Sequence, residues 1–273
     1  MAKAPSKAKK APAKRKAPAK KASSKKIVKK FETVLVEKQD RIAWVIMNRP
    51  EKRNAMSPQL HLDMNSALDD LAIDKDVDVV IITGAGKAFC AGQDIRLYFR
   101  GTTDDIAKRY KAKHASHNWR WNKLSRFPKL TIAMVNGYCF GGAFTQVSAC
   151  DLAIAADNAE FGLSEINWGI LPGKEAARNG FINKSVPKAK LRAETIKLAK
   201  KLMKKNPMAL RYTKEAIRAV KNMSVDQAAD YLNAKSDALK WADPEKGREK
   251  GMSQFLDDKT YRPGLGEYNR KKK

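Results

Sequence analysis

Two glycine-rich turns and one isolated carboxylate are the groups in this sequence whose types and spacing could do chemistry. TGAGKAFCAGQDI (residues 83–95) and NGYCFGGAF (136–144) each follow a short apolar run. Such a turn presents backbone N–H groups at a strand end or helix start, where they bind a phosphate or a developing oxyanion. Neither is a GxGxxG dinucleotide fingerprint, and neither is a GxxxxGK(S/T) phosphate loop. A single turn of this kind more often reverses the chain than catalyses. Two that feed one end of a sheet can aim a pair of donors at a single oxygen. The carboxylate is Glu165, in FGLSEINWGILPG (161–173), set in a turn-prone stretch between an apolar strand and Trp168.

Cys90, Cys139 and Cys150 follow no metal-ligand spacing and do not read as a secreted disulfide framework. No apolar run approaches the ~20 residues of a membrane helix, and the N-terminus has no hydrophobic signal region. A reducing, cytoplasmic setting is the expectation, with no membrane partner. The 273 residues suffice for one large domain or two small ones. The formal net charge is +27, and residues 1–30 hold thirteen Lys/Arg with no Asp or Glu. Residues 1–26 repeat a Lys/Ala/Pro theme without large apolar side chains, so they cannot bury enough surface to order. They read as a polyanion-binding arm or a solubilising tail.

The elements that must position the turns follow from period and punctuation. TVLVEK and RIAWVIMN, separated by Gln39-Asp40, read as a β-hairpin. Ser57 as N-cap and Pro58 at the first turn open a helix whose Leu60, Met64, Ala67, Leu68 and Leu71 share a face. VDVVIITGAG, LTIAMVNG and DLAIAAD are further strands, and FGGAFTQVSAC is a glycine turn into a helix. Strands alternating with helices predict an α/β fold with a parallel sheet. After Pro187 the pattern is helical, with breaks at Asn206-Pro207 and a cap at Ser224. The expected organisation is a tail over 1–30, a core over 31–186, a helical region over 187–268 and a basic tail over 269–273.

NRPEKRNAMSPQL, GAGKAFCAGQDI, MVNGYCFGGAF and FGLSEINWGILPG, in this order and spacing, resemble the crotonase (enoyl-CoA hydratase/isomerase) superfamily. NRPEKRNAMSP, GLSEINWGI and the ending GMSQFLDDK…RPGL are similar to the hydroxycinnamoyl-CoA, or feruloyl-CoA, hydratase-lyases. The resemblance spans residues 31–268. It implies a ββα spiral core with a helical C-terminal region, and trimers that often pair into hexamers. It also implies a CoA thioester substrate with no further cofactor and no metal. The implied reaction adds water to 4-coumaroyl- or feruloyl-CoA and then cleaves it to an aromatic aldehyde (4-hydroxybenzaldehyde or vanillin) and acetyl-CoA. General enoyl-CoA hydration or isomerisation is the alternative. An alternative of another class is a nucleic-acid-associated or inactive structural homologue.

By motif position, the resemblance assigns the two oxyanion-hole N–H groups to Gln93 and Gly142. It assigns the catalytic carboxylate to Glu165. Hydratases of the superfamily carry a second glutamate where this chain has Thr145, which the hydratase-lyases replace with a small hydroxyl residue. CoA and substrate are implied along Lys52, Arg53, Ala55, Ala91, Gly92, Asp94 and Ile95, with Ala143 and Ser164 near the acyl group. Tyr98 would meet the substrate phenol and Trp168 its ring. A second phenol-binding tyrosine of the family falls at Asn233, and Tyr231, two residues earlier, lies on another face of its helix. About thirty residues, a helix and a loop by typical lengths, are absent between Gly173 and Lys174. Either the fold is shortened there or the chain has lost an internal segment.

Overall fold

In the computed structural model, residues 26–163, 169–172, 180–260 and 270 are described. The chain enters as β1 (Lys26–Lys30), antiparallel to β2 (Val34–Gln39), which pairs antiparallel with β3 (Ile42–Met47). The expected hairpin is therefore present. Its two turn residues are Asp40 and Arg41 rather than Gln39 and Asp40, since Gln39 pairs with Ile42. Both turn residues have positive φ, 51° and 63°, the twist that suits a two-residue hairpin loop. β1 corrects the expected tail boundary at residue 30. The outer edge of β2 offers backbone donors and acceptors, and the last five residues of the expected tail satisfy them. The rest of that tail, residues 1–25, lies outside the described residues.

The main sheet continues in parallel through β4 (Val79–Gly84), β6 (Leu130–Val135), β8 (Leu152–Ala156) and β11 (Lys184–Val186), in the order β1-β2-β3-β4-β6-β8-β11. A second sheet orders β10 (Gly169–Pro172), β9 (Glu160–Leu163), β7 (Tyr138–Phe140) and β5 (Ala88–Cys90). β4 and β6 are buried almost throughout, as strands covered on both faces must be. α1 (Pro58–Ile73) begins where Ser57 accepts from the Leu60 N–H, and buries all five expected apolar residues against the sheet. α2 (Ile106–His117) runs into a wide, π-helical segment, Asn118–Leu124. α3 (Phe144–Ala149) follows the second glycine turn.

The C-terminal region is helical, as its sequence requires. α4 (Leu191–Met203) packs on β6 and β8, burying Leu191, Thr195 and Ala199. α5 (Pro207–Ala219) is capped by Asn206 and anchored by Lys214. Lys214 Nζ donates to Asp151 Oδ2 at 2.7 Å and to the carbonyls of Phe127 and Lys129. α6 (Val225–Ala242) has a full capping box between Ser224 and Gln227, packs chiefly on α5, and buries none of its eighteen residues. α7 (Gly247–Leu256) follows. Among the described residues no helix is long and apolar enough to cross a membrane.

Candidate active site

The two glycine turns meet. Asn136 donates from Nδ2 to the carbonyls of Gly84 and Gly86, both at 3.0 Å, and Thr83 Oγ1 donates to the Met134 carbonyl. Gly137 lies so close to the first turn that a Cβ there would sit 1.9 Å from the Lys87 carbonyl oxygen. Further on, β5 pairs with β7 and β7 with β9, so the chain following each strand emerges on one side of the small sheet.

Residues 49–57 form the wall of this site. Pro50–Lys52 is a single 3-10 turn, ended by Arg53 and Asn54 in the left-handed region. Asn54 is fully buried. Its Oδ1 accepts from the Arg49 N–H, and its Nδ2 donates to the carbonyls of Ala85 and Ala88. Lys52 and Arg53 remain exposed, Arg53 over the Tyr138 ring, and Ala55 is half-buried.

The segment from Ala91 to Asp94 is zipped to that wall. The Ala91 N–H donates to the Arg53 carbonyl, the Met56 N–H to Gly92, and the Asp94 N–H to Met56. This bridge uses the N–H of Asp94, so the N–H of Gln93, one residue earlier, points away from Met56. Gly92 has φ +89°, and a Cβ on it would lie 2.9 Å from the Phe140 carbonyl oxygen and 3.7 Å from the Gly142 nitrogen. Gly142 is the second residue of the helical turn Gly141–Ala143 that leads into α3. Its N–H is thus one of the orphan donors of a helix start. The structure places the two expected donors, Gln93 and Gly142, side by side. Thr145 lies one turn further along, half-buried, and Ala143 is buried beside it.

Two expected site residues stand apart from the donors in their side-chain surroundings. Asp94 was expected along the substrate, but its carboxylate is engaged with the protein. Oδ1 caps the Ile95–Phe99 segment at the Leu97 N–H, and Oδ2 pairs with Arg49 at 3.0 Å. Asn233 is exposed on α6, far along the chain from the turns and on a helix whose packing is with α5. One chain does not bring it to the site. Tyr98 does arrive there, half-buried, its ring edge-on to His61 at 5.4 Å, whereas Ile95 is exposed. Glu165, Ser164 and Trp168, and the Gly173-Lys174 junction, lie outside the described residues. The chain on either side of Glu165 is described: Leu163 pairs with Gly169, and Gly162 pairs with Phe140, two residues before Gly142.

Four residues that spacing did not single out stand behind the donors. The Trp119 indole N–H donates to His61 Nδ1 at 2.9 Å, and His61 Nε2 meets Gln93 Oε1 at 2.9 Å. Gln93 Nε2 donates to Ser116 Oγ at 3.3 Å. Arg120 donates to the same Oγ from Nη2, to the Ser116 carbonyl from Nε at 3.0 Å, and to the Gly142 carbonyl from Nη1 at 3.3 Å. His61 is 0% exposed and its pKa is lowered to about 3, first by burial and then by the charge of Arg120. Burial also lowers the Arg120 pKa, while Tyr98 and Cys90 act to raise it. A signal for His61 was present in the sequence: it shares the α1 face of Met64 and Leu68. For Arg120, inside NWRW, there was none.

Paired N–H donors at a strand end and a helix start, walled by a loop with exposed cations, can polarise one carbonyl and hold an anionic tail. The enoyl-CoA hydratase/isomerase family profile matches residues 37–174 and 171–262. The chain belongs to the crotonase family. It is 45% identical to the hydroxycinnamoyl-CoA hydratase-lyase of Pseudomonas fluorescens, over 88% of this chain and 98% of that protein. It is 28% identical to the crotonyl-CoA hydratase of Syntrophomonas wolfei, over 83% and 96%. The solved enoyl-CoA hydratase subunit I of Geobacillus kaustophilus superposes with a TM-score of 0.74 at 26% identity, covering 84% of this chain and 96% of that one. This crotonase therefore has the family's α/β fold and is an enzyme. The family match breaks in two at residues 171–174. The 271 aligned positions of the Pseudomonas comparison exceed 88% of 273 residues by about thirty. Both observations agree with a segment absent after Gly173.

Proposed function

We propose that this crotonase is a hydroxycinnamoyl-CoA hydratase-lyase. The observation that carries the reading is the 45% identity to the Pseudomonas hydratase-lyase across 98% of its length. The thioester oxygen lies between the N–H groups of Gln93 and Gly142, and the CoA runs along Lys52, Arg53 and Ala55. Water adds to the alkene, hydroxyl to the β-carbon and a proton to the α-carbon, with Glu165 moving the proton. The β-hydroxyl then loses its proton, the α–β carbon bond breaks, and the electron pair passes to the acetyl thioester enolate held by the two donors. Protonation of that α-carbon releases acetyl-CoA, and the other product is the aromatic aldehyde. On this reading Tyr98 would meet the substrate phenol, and Thr145 would hold the water.

The same reading makes the protein a cytoplasmic homo-oligomer that needs no cofactor beyond its CoA substrate, with residues 1–26 binding polyanions without sequence preference. Incubation with 4-coumaroyl-CoA or feruloyl-CoA should release aldehyde and acetyl-CoA together. Hydration of crotonyl-CoA with no aldehyde from either aromatic thioester would replace it with a general hydratase, the reading favoured by the Syntrophomonas relative.

A further inference from the structure

A polar chain runs behind the two N–H donors and joins them. We propose that His61, Ser116 and Arg120 are positioning residues that act through the Gln93 side chain and the Gly142 carbonyl. They hold the two donor residues at a fixed spacing and set a guanidinium charge behind the oxyanion. The inference rests on the reading that those two N–H groups receive a thioester oxygen.

The direction of every bond in this chain is determined. The Trp119 indole and the Arg120 guanidinium can only donate. Trp119 therefore makes His61 Nδ1 the acceptor, which leaves the proton on Nε2 to be given to Gln93 Oε1. The Gln93 amide is then oriented with Nε2 toward Ser116 Oγ, where the donation from Arg120 Nη2 also ends. A flipped Gln93 amide would set two donors against each other at His61. The side chain of Gln93 accordingly has one orientation, and it restrains the peptide that carries the donor.

Gly142 has no side chain with which to be restrained. Arg120 Nη1 supplies the restraint from outside by donating to the Gly142 carbonyl, and that nitrogen lies 3.2 Å from where a Gly142 Cβ would be. Arg120 is 8% exposed, Ser116 2% and His61 0%. Burying a guanidinium is costly, and an apolar side chain of similar length fills such space without that cost. What an apolar side chain lacks is a positive charge close behind the point where negative charge develops.

The test uses the full chain and 3-(4-hydroxyphenyl)propanoyl-CoA with a 13C thioester carbonyl. This saturated ligand cannot be hydrated. Infrared difference spectra read the polarisation of its carbonyl on binding. Turnover is measured with the enoyl thioester that the wild type consumes. In Arg120→Met and Ser116→Ala, kcat should fall about 10- to 100-fold, less than for a donor removed outright. KM should stay within about threefold, and the carbonyl shift should shrink because the donors loosen. Arg120→Lys should recover part of the carbonyl shift. If Arg120→Met fails to fold by circular dichroism, Ser116→Ala decides alone. An unchanged carbonyl shift in the folded variants overturns the proposal, whether or not kcat falls, and leaves the oxyanion reading standing. A wild type with no carbonyl shift overturns that reading and the proposal with it.

Discussion

The indole N–H of Trp119 points at Nδ1 of His61 from 2.9 Å, and burial first, then the charge of Arg120, keeps this unexposed histidine neutral. The folded protein resists protonating His61 until about pH 3, while the unfolded chain takes up that proton near the ordinary value of 6.5.

The sign of the resulting pH dependence follows from linkage. Between these two values the unfolded state holds the extra proton, so stability is present above pH 6.5 and is lost as pH falls toward 3. The slope from this one group is about 1.4 kcal/mol per pH unit. Carboxylates such as Asp74 and Asp78, whose pKa values are lowered by Lys38 and Arg41, add acid sensitivity of their own at lower pH. Urea midpoints of wild type and His61→Gln at pH 4 to 7 separate the two. The variant should lose one proton's worth of slope, and parallel curves would refute the assignment.

Gly92→Ala should remove most turnover. The residue has φ +89°, and its Cβ would press on the Phe140 carbonyl at 2.9 Å. The left-handed backbone alone costs about 1–2 kcal/mol. A shift of the Gln93 peptide by about 1 Å costs about 100-fold in rate. Gly180→Ala is the control, since φ is +75° there but nothing lies within 4 Å of the added carbon. Equal loss of kcat in both variants would show that strain, rather than the meeting of the turns, governs the effect.

The three thiols should be silent in the folded protein. Burial pushes Cys90 up to about 11, Cys150 up to about 12 and Cys139 well above the ordinary thiol value. At pH 8 a disulfide reagent such as DTNB should titrate no thiol rapidly in native buffer and three in guanidinium. Rapid native labelling of any one would contradict the burial of that thiol.

Lys214→Met should lower stability by about 3 kcal/mol in urea denaturation, because it leaves a buried carboxylate short of a partner. Lys214 is 8% exposed at its side chain and serves Asp151 together with the carbonyls of Phe127 and Lys129. Asp151 retains Arg218 at 3.1 Å and the Thr131 N–H and hydroxyl. Adding Arg218→Met should therefore cost more than the sum of the two single changes, read as a double-mutant cycle.

Hydrophobic period made the strands, α1 and the capped C-terminal helices legible, because each depends on local spacing that tertiary contacts reinforce rather than oppose. β1 was illegible: a Lys-rich segment joins a sheet for its backbone groups, which composition does not encode. Two turns feeding one sheet end could be read from their motifs, and the family resemblance picked out Gln93 and Gly142 within them. The buried Arg120 could not, because an arginine in solvent and one behind a donor pair look alike until the turns meet. The side chain of Asp94 was hidden for a related reason. Its motif position is next to the donor, but its side chain points back to Arg49 and the Leu97 N–H.

Asn54 has a consequence for whatever the exposed cations of the neighbouring turn receive. One hydrogen bond to this buried side chain closes residues 49–54 on themselves, and two more from it fasten them to Ala85 and Ala88. The entropy of ordering that loop is surrendered when the chain folds, not when a ligand arrives. An anion docking on Lys52 and Arg53 would therefore meet a backbone already at rest, and its association would not wait for that loop to close.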